Sequence, residues 1–277
     1  MLRGISRSLT YACAVLYAIL GAALFLLPES LAPVFAWKVT PFMAMTIGGW
    51  CLGNAWLAWM SARRWEWKLV YTGLIYLWLF GILELGVLFA FRDKLRLEHP
   101  IAWLYAGTLA VNVLTAVLGI LDWLRIRSAR ERFGPQSFGW IRAAAIAFVI
   151  FVGFLGIYGL IAQIGWPGTS GGIFPEEMSL FTLRSFAVFY LSLAVAAIPL
   201  IWERNLSVLL NHAIVSYGLI IFITAAAFIY IRLFDFAARP GGLLYFAAYL
   251  VVGIPLIFIF AKYGTGLRKD ERALGAA

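Results

Sequence analysis

Eight apolar segments, each of about 20 residues or more, constrain this chain more than any other feature of its sequence. As helices they cross the roughly 30 Å hydrocarbon core of a bilayer, and none alternates with the period of two that strands require. We therefore predict an all-α, polytopic integral membrane protein with eight transmembrane helices. The predicted spans are Leu9–Leu27, Pro41–Met60, Leu69–Phe91, Ile101–Leu121, Ala143–Trp166, Met178–Trp202, Leu206–Ile231 and Gly241–Ala261.

The composition agrees with a membrane location, since 64% of the 277 residues are hydrophobic and only 13% are charged. In a soluble protein the formal net charge of +9 would suggest nucleic acid, but most Lys and Arg residues here lie in short gaps between apolar segments. They indicate membrane topology and contact with anionic lipid headgroups at the inner face. Nucleic acid is not expected as a partner.

The basic segment 122–142 separates the first four apolar segments from the last four. We interpret it as a cytoplasmic linker between a first membrane repeat at 1–121 and a second at 143–261, followed by a cytoplasmic tail at 262–277. With the N-terminus inside, fifteen Lys and Arg residues lie on the inner side and six on the outer side. This asymmetry predicts cytoplasmic N- and C-termini, in a plasma membrane of the bacterial type.

The second half of the chain resembles the first at a nearly constant offset. Because each half holds an even number of predicted helices, the repeat would be parallel, with a pseudo-twofold axis near the membrane normal. The repeat is also the reason to interpret Leu9–Leu27, which has a counterpart in the second half, as a transmembrane helix and not as a signal peptide. A shift of 139 pairs Pro28 with Pro167, Leu52 with Leu191 and Thr40 with Ser179, and a shift of 140 pairs Arg92 with Arg232 and Pro100 with Pro240.

Glu84 and Arg184 are the formally charged residues inside the predicted spans. A charge at the bilayer centre costs at least ~2.5–3.5 kcal/mol, so it usually faces a partner or water. At a rise of about 1.5 Å per residue, both lie roughly 9–10 Å below the outer boundary. Three arrangements remain open: a buried ion pair between the repeats, separate snorkelling to the outer surface, and a substrate or proton site.

Asn54, Asn112 and Tyr190 are polar residues that fall near mid-membrane in the predicted spans. At that depth such side chains commonly hydrogen-bond between helices, and a ligand-binding role is the alternative. With Glu84 and Arg184, they are the candidate substrate-binding residues.

Residues for a metal, a cofactor or catalysis are scarce. His99 and His212 are predicted at opposite faces of the membrane, so they cannot jointly ligate a haem iron or a zinc ion. Cys13 and Cys51 lie in apolar segments without a CxxC pattern and are interpreted as small buried residues. We expect no cofactor, no metal and no catalytic residue. Pro199 is expected to kink the sixth helix.

Three functions are compatible with these features. The first is a transporter or permease-like protein with a polar, water-accessible site between the repeats near Glu84 and Arg184. The second is a non-catalytic structural or accessory subunit, close-packed inside and with an apolar face for other membrane subunits or for a second copy. The third is a lipid-binding or lipid-modifying membrane enzyme. The scarcity of polar groups within the spans disfavours a proton- or ion-coupled pump.

Overall fold

The described part of the chain is built from α-helices. The computed structural model describes residues 4–126, 139–170 and 176–243, and also residues 246, 249, 250, 253, 254, 257, 258 and 261. No β-strand occurs in these ranges. The helices are α1 Gly4–Leu26, α2 Pro28–Leu31, α3 Pro41–Arg64, α4 Trp67–Ala90, α5 Pro100–Ile126, α6 Gly139–Ile161, α7 Leu180–Ala197 and α8 Leu206–Ile229, with 3₁₀ turns at Ala32–Val34, Arg92–Lys94, Ile198–Ile201 and Ile231–Leu233.

Six of the described helices are long and apolar enough to cross a membrane: α1, α4, α5, α6, α7 and α8. The prediction of an all-helical, multi-pass membrane protein is therefore confirmed. The predicted number of eight spans stays a prediction. α3 has the length of a span but is less apolar, and the predicted eighth span, Gly241–Ala261, lies largely outside the described residues.

The central helix is α3, which packs between α1 and α8. Its glycines allow a close approach on both sides: a Cβ atom added to Gly48 would lie 2.6 Å from the backbone N of Phe25 in α1. A Cβ atom on Gly53 would lie 2.7 Å from Cα of Leu219 in α8. Small residues let membrane helices pack this tightly. Because α3 is largely buried in protein, it does not need the apolar surface of a lipid-facing helix, which explains its composition.

Aromatic side chains fill the contact between the first half of the chain and α7. The Trp50 and Phe189 rings stack with centroids 4.6 Å apart and an interplanar angle of 8°. Tyr76 and Phe80 of α4 approach Phe189 edge-to-face, with centroids 6.1 and 6.2 Å away. These are preferred geometries for aromatic pairs, so the contact is close-packed.

Two long helices begin with the same kind of side-chain cap. Thr40 precedes α3 and its hydroxyl accepts a hydrogen bond from the Met43 backbone N–H. Ser179 precedes α7 and accepts from the Thr182 backbone N–H in the same way. Such caps satisfy amide groups that have no partner within the helix, and so determine where each helix starts.

Some observed boundaries differ from the predicted ones. Helix α5 continues through Ile126 and α6 begins at Gly139, so helical structure extends into both ends of segment 122–142, whose middle lies outside the described residues. The kink predicted at Pro199 stays a prediction, but the helix type changes there: α7 ends at Ala197, and Pro199 belongs to the 3₁₀ turn Ile198–Ile201. Proline has no amide hydrogen and its ring clashes with the preceding helical turn, which favours ending the α-helix there.

Candidate functional site

Glu84 lies in the interior of the protein, where three helices meet. Its side chain on α4 has 0% exposure. The hydroxyl of Tyr105 in α5 donates to Oε1 at 2.6 Å, and the hydroxyl of Ser185 in α7 donates to the same oxygen at 2.8 Å. Among the described residues, the other oxygen, Oε2, has no hydrogen-bond partner. A buried polar atom without a partner is costly, and lipid offers none, so Oε2 calls for a functional explanation.

Arg184 lies beside Ser185 in sequence but contacts a different helix. Its Nη1 donates to the carbonyl oxygen of Gly159, and its Nη2 donates to that of Ala162 at 2.7 Å. These carbonyls belong to the C-terminal end of α6, where the last turn has no partners of its own and a cation is favourable. Glu84 and Arg184 therefore hydrogen-bond to separate groups, and these contacts do not form the ion pair that was one of the three open arrangements.

Asn54 and Asn112 each hydrogen-bond to a tyrosine of another helix. The Tyr76 hydroxyl donates to Asn54 Oδ1 at 2.8 Å, and Asn112 Nδ2 donates to the Tyr17 hydroxyl oxygen at 2.8 Å. Both amides are fully buried. Within the described ranges, Nδ2 of Asn54 and Oδ1 of Asn112 have no partner. Each amide therefore links two helices and still keeps one unused polar atom in the interior.

The Cys51 side chain of α3 lies near these groups. Its thiol is buried and lies within electrostatic range of Glu84 and of the hydroxyl groups of Tyr17, Tyr76 and Tyr105. The burial predicted for both cysteines is confirmed. We call this group the buried polar centre; its members are Tyr17, Cys51, Asn54, Tyr76, Glu84, Tyr105, Asn112 and Ser185.

An aromatic cap, formed by Phe35, Trp37, Phe91 and Phe181, covers one side of the buried polar centre. The Trp37 ring stacks on Phe181 with centroids 4.3 Å apart, and its centroid lies 5.3 Å from that of Tyr105. Phe181 also stacks on Phe91, and Phe35 packs against Trp37. Since Tyr105 holds Glu84 directly, the cap separates the carboxyl group from the end of the bundle at which α4 ends.

Of the candidate residues, Glu84, Asn54 and Asn112 belong to the buried polar centre, whereas Arg184 and Tyr190 do not. The Tyr190 hydroxyl lies 3.2 Å from that of Tyr249. Tyr17, Tyr76, Tyr105 and Ser185 were missed, and Cys51 was interpreted only as a small buried residue. Tyr76 carried a usable signal, because it lies two helical turns from Glu84 on the same face of α4.

Tyr105 and Ser185 gave no local signal in the sequence. They reach Glu84 from α5 and α7, which lie 21 and 101 residues away along the chain. Only the packing of those helices on α4 brings the two hydroxyl groups to the carboxyl group.

The donor set in the described residues does not resemble a metal site, since no group of three or more His, Cys, Asp or Glu side chains is close enough to hold an ion. Comparisons of the chain with protein-family models, with curated proteins and with solved structures found no match. The chain is a multi-pass membrane protein in which a carboxyl group is buried among hydroxyl and amide groups, and that chemistry is the basis for proposing its function.

Proposed function

We propose that this protein is a permease that binds a small polar or cationic solute at the buried polar centre. The observation that carries the proposal is Glu84, a fully buried carboxyl group in a membrane helix with one oxygen unused. Ionisable residues at membrane depth commonly belong to substrate or ion pathways. The unused atoms of Asn54 and Asn112 add a donor and an acceptor with which a polar solute or water could hydrogen-bond.

Similar packing in the two halves of the chain supports a site built between two repeats. In the first half, a Cβ atom on Gly21 would lie 2.7 Å from the backbone N of Leu52. In the second half, one on Gly156 would lie 2.7 Å from the backbone N of Leu191. Leu52 and Leu191 are also paired by the 139-residue shift. Transporters built from repeats place their sites where the repeats meet. If α3 corresponds to α7 and α4 to α8, a pseudo-twofold axis turns the contact of α3 with α8 into a contact of α7 with α4, and both contacts are present.

The loops of the two halves also exchange hydrogen bonds. Trp37, before α3, donates from Nε1 to the Thr182 hydroxyl oxygen in the first turn of α7, at 3.0 Å. Glu176, before α7, accepts a hydrogen bond from the hydroxyl of Thr40 at the start of α3. Together with the aromatic cap, these contacts close the buried polar centre on one side. The arrangement resembles an occluded state, from which a solute leaves only after the loops separate.

The distribution of charge supports the predicted orientation. Among described residues, the end of the bundle that holds the start of α1 carries Arg7, Arg63, Arg64, Lys68, Arg125, Arg142 and Arg204, against the acids Glu66, Asp122 and Glu203. We call this the arginine end. The opposite end has six basic residues and six acidic ones in the same ranges. An excess of Lys and Arg favours the cytoplasmic side and contact with anionic lipid headgroups.

One observation favours the accessory-subunit function instead. Helix α6 is the least buried of the six candidate spans, and it packs mainly on α7 and the 3₁₀ turn that follows. Its exposed side chains include Ile150, Phe154, Ile157 and Ile161. Another membrane subunit or a second copy of the chain could pack on this face, and a face in contact with lipid has the same apolar composition.

Thiol accessibility distinguishes the two functions. In a background without Cys13 and Cys51, we would introduce Ser185→Cys, which leaves Glu84 in place, and Leu74→Cys as a matched control. Leu74 is also 0% exposed but packs in a separate apolar cluster with Trp78 and Val208. Asp93→Cys, in an exposed turn, reports full labelling.

For a permease, a membrane-impermeant thiol reagent reacts with Ser185→Cys at a rate well above that of Leu74→Cys, because the site opens to water. Equal protection of both positions from both sides of the membrane would refute the permease, and the accessory-subunit function would then be preferred.

A further inference from the structure

One buried side of α4 carries polar groups at three of four positions that are spaced one helical turn apart. Thr72, Tyr76, Phe80 and Glu84 are spaced four residues apart, and their exposures are 0%, 1%, 4% and 0%. Each step of four residues also turns about 40° around the axis, so the row winds by roughly 120° from Thr72 to Glu84 across the buried side of α4. Thr72 and Glu84 are twelve residues apart, which corresponds to roughly 18 Å along the helix axis and more than half of the hydrocarbon core.

Each polar side chain of this face hydrogen-bonds to a different helix. Thr72 Oγ1 lies 3.0 Å from Nδ1 of His212 in α8. The next polar residues, Tyr76 and Glu84, bind Asn54 and the Tyr105–Ser185 pair as described above. We call Thr72, Tyr76 and Glu84, with their partners, the proton line. It runs through the contact between the two halves of the chain, where α3, α4, α7 and α8 meet.

His212 marks the arginine end of this line. It is half-buried, and the neighbouring Asn211 contacts the first turn of α4 through the Leu69 carbonyl oxygen and Arg64 at the end of α3. Histidine has two ring nitrogens, so it can accept a proton at one of them and release a proton from the other. It is therefore suited to exchange protons between this end of the bundle and Thr72.

Polar atoms without partners border the line along its length. Among the described residues they include Ser61 Oγ, Asn54 Nδ2 and Glu84 Oε2. Ser61 lies beside Gly73, where an added Cβ atom would be 3.2 Å from its Oγ. Buried polar groups of this kind hold internal water, which makes two to four hydrogen bonds and can connect hydroxyl groups too far apart to bond directly.

We propose that this face of α4 conducts protons between the arginine end of the protein and Glu84. A proton binds to Nε2 of His212 as Nδ1 releases its own to the Thr72 hydroxyl, which passes its hydrogen on to water. The Tyr76 hydroxyl, turning away from Asn54 Oδ1, accepts a proton from that water and releases its own through further water to Glu84 Oε2. The inference rests on the proposed function, because it names the proton as a ligand of the same site. It also revises the expectation that polar groups are too scarce for proton coupling, since packing gathers those that exist into one line.

The other polar groups around Glu84 agree with uptake from this side. Tyr105 and Ser185 donate to Oε1, the Cys51 thiol of α3 lies within electrostatic range, and Arg184 directs its charge to α6. No cation among the described residues is thus seen to neutralise the carboxyl group, and a proton can. The aromatic cap, in turn, covers the side away from His212.

Phe80 is the apolar interruption of the line. It lies one turn from both Tyr76 and Glu84, and its ring packs edge-to-face on Phe189 of the second half. Roughly 12 Å of helix axis separate Tyr76 from Glu84, so water must pass Phe80 to connect them. Movement of α7 against α4 would shift Phe189, and this gives the two halves control over proton transfer.

The test measures how fast Glu84 exchanges its proton in the full chain in lipid nanodiscs after a jump in pH. The infrared carboxyl band of Glu84, identified by its loss in Glu84→Gln, is the readout. We expect Tyr76→Phe to slow the exchange by roughly tenfold or more, equivalent to about 1.4 kcal/mol in the barrier, and Phe80→Ala to accelerate it. Tyr71→Phe, on a neighbouring position of α4 whose hydroxyl donates to Glu203, is the matched control and leaves the rate unchanged.

Equal rates in the Tyr76→Phe and Tyr71→Phe variants would overturn the proton line, as would a Glu84 band that does not respond to pH. Thermal unfolding of each variant checks that it is folded. The result is separable from the permease test: proton exchange through Tyr76 combined with full protection of Ser185→Cys leaves the line intact and refutes the permease. Labelling of Ser185→Cys, combined with a Glu84 proton-exchange rate that Tyr76→Phe does not change, refutes the proton line and leaves the permease intact.

Discussion

Replacement of Gly53 by alanine tests whether close packing of α3 on α8 holds the two halves together. In the Gly53→Ala variant the new methyl group would lie 2.5 Å from Leu219 Cδ2, 2.7 Å from its Cα and 2.8 Å from its backbone N. The leucine side chain can rotate away, but the backbone atoms cannot. Since carbon atoms in contact are about 3.5–4.0 Å apart, α8 must retreat by roughly 1 Å.

A retreat of that size weakens the whole helix crossing. A gap of roughly 0.5–1 Å forfeits a quarter to a half of each atom–atom attraction along the crossing. Overpacking of this kind typically costs ~1–3 kcal/mol, while alanine in place of glycine gains about 0.5–1 kcal/mol of helix stability. We therefore expect Gly53→Ala to lower the free energy of unfolding by roughly 1–2 kcal/mol.

The matched control is Gly107→Ala in α5, where an added Cβ atom meets nothing within 4 Å. It should keep the gain of about 0.5–1 kcal/mol without the clash. Reversible unfolding of both variants in mixed micelles, by titration with a denaturing detergent, gives the two free energies. If Gly53→Ala is as stable as Gly107→Ala, α3 and α8 do not pack at the observed distance and the reasoning is refuted.

Two further substitutions test polar contacts between helices. Arg184→Met removes the donors to the carbonyl groups of Gly159 and Ala162. We therefore expect the free energy of local opening at the end of α6 to fall by about 1–3 kcal/mol. Faster amide hydrogen exchange confined to that end of α6 is the measurement, and unchanged exchange there would contradict the prediction. Ser6→Ala removes the hydroxyl that donates to buried Asp122 at 2.5 Å and should lower the free energy of unfolding by about 1–3 kcal/mol. Exposed Ser8→Ala is its control, and thermal unfolding that does not distinguish the two variants would argue against the contact.

Part of the candidate site was accessible from the sequence because lipid makes polar residues conspicuous. Glu84, Asn54 and Asn112 stand out in apolar segments, and the structure buries all three in one centre. An ion pair of Glu84 with Arg184, one of the three arrangements left open, did not follow from their similar depth. Depth fixes one coordinate only, and the rotation of α7 about its axis turns Ser185 to the carboxyl group and Arg184 to α6.

The sequence by itself determined that the chain is helical and crosses a membrane several times, because each span must satisfy its backbone hydrogen bonds within itself. This is a local requirement, readable from about 20 consecutive residues. The tertiary structure alone decided which side chains meet, since Tyr105, Ser185 and Trp37 reach the Glu84 region from separate elements. Between membrane helices the contacts depend on shape, such as the space that Gly48 and Gly53 leave, and hydrophobicity does not distinguish a face that meets protein from one that meets lipid.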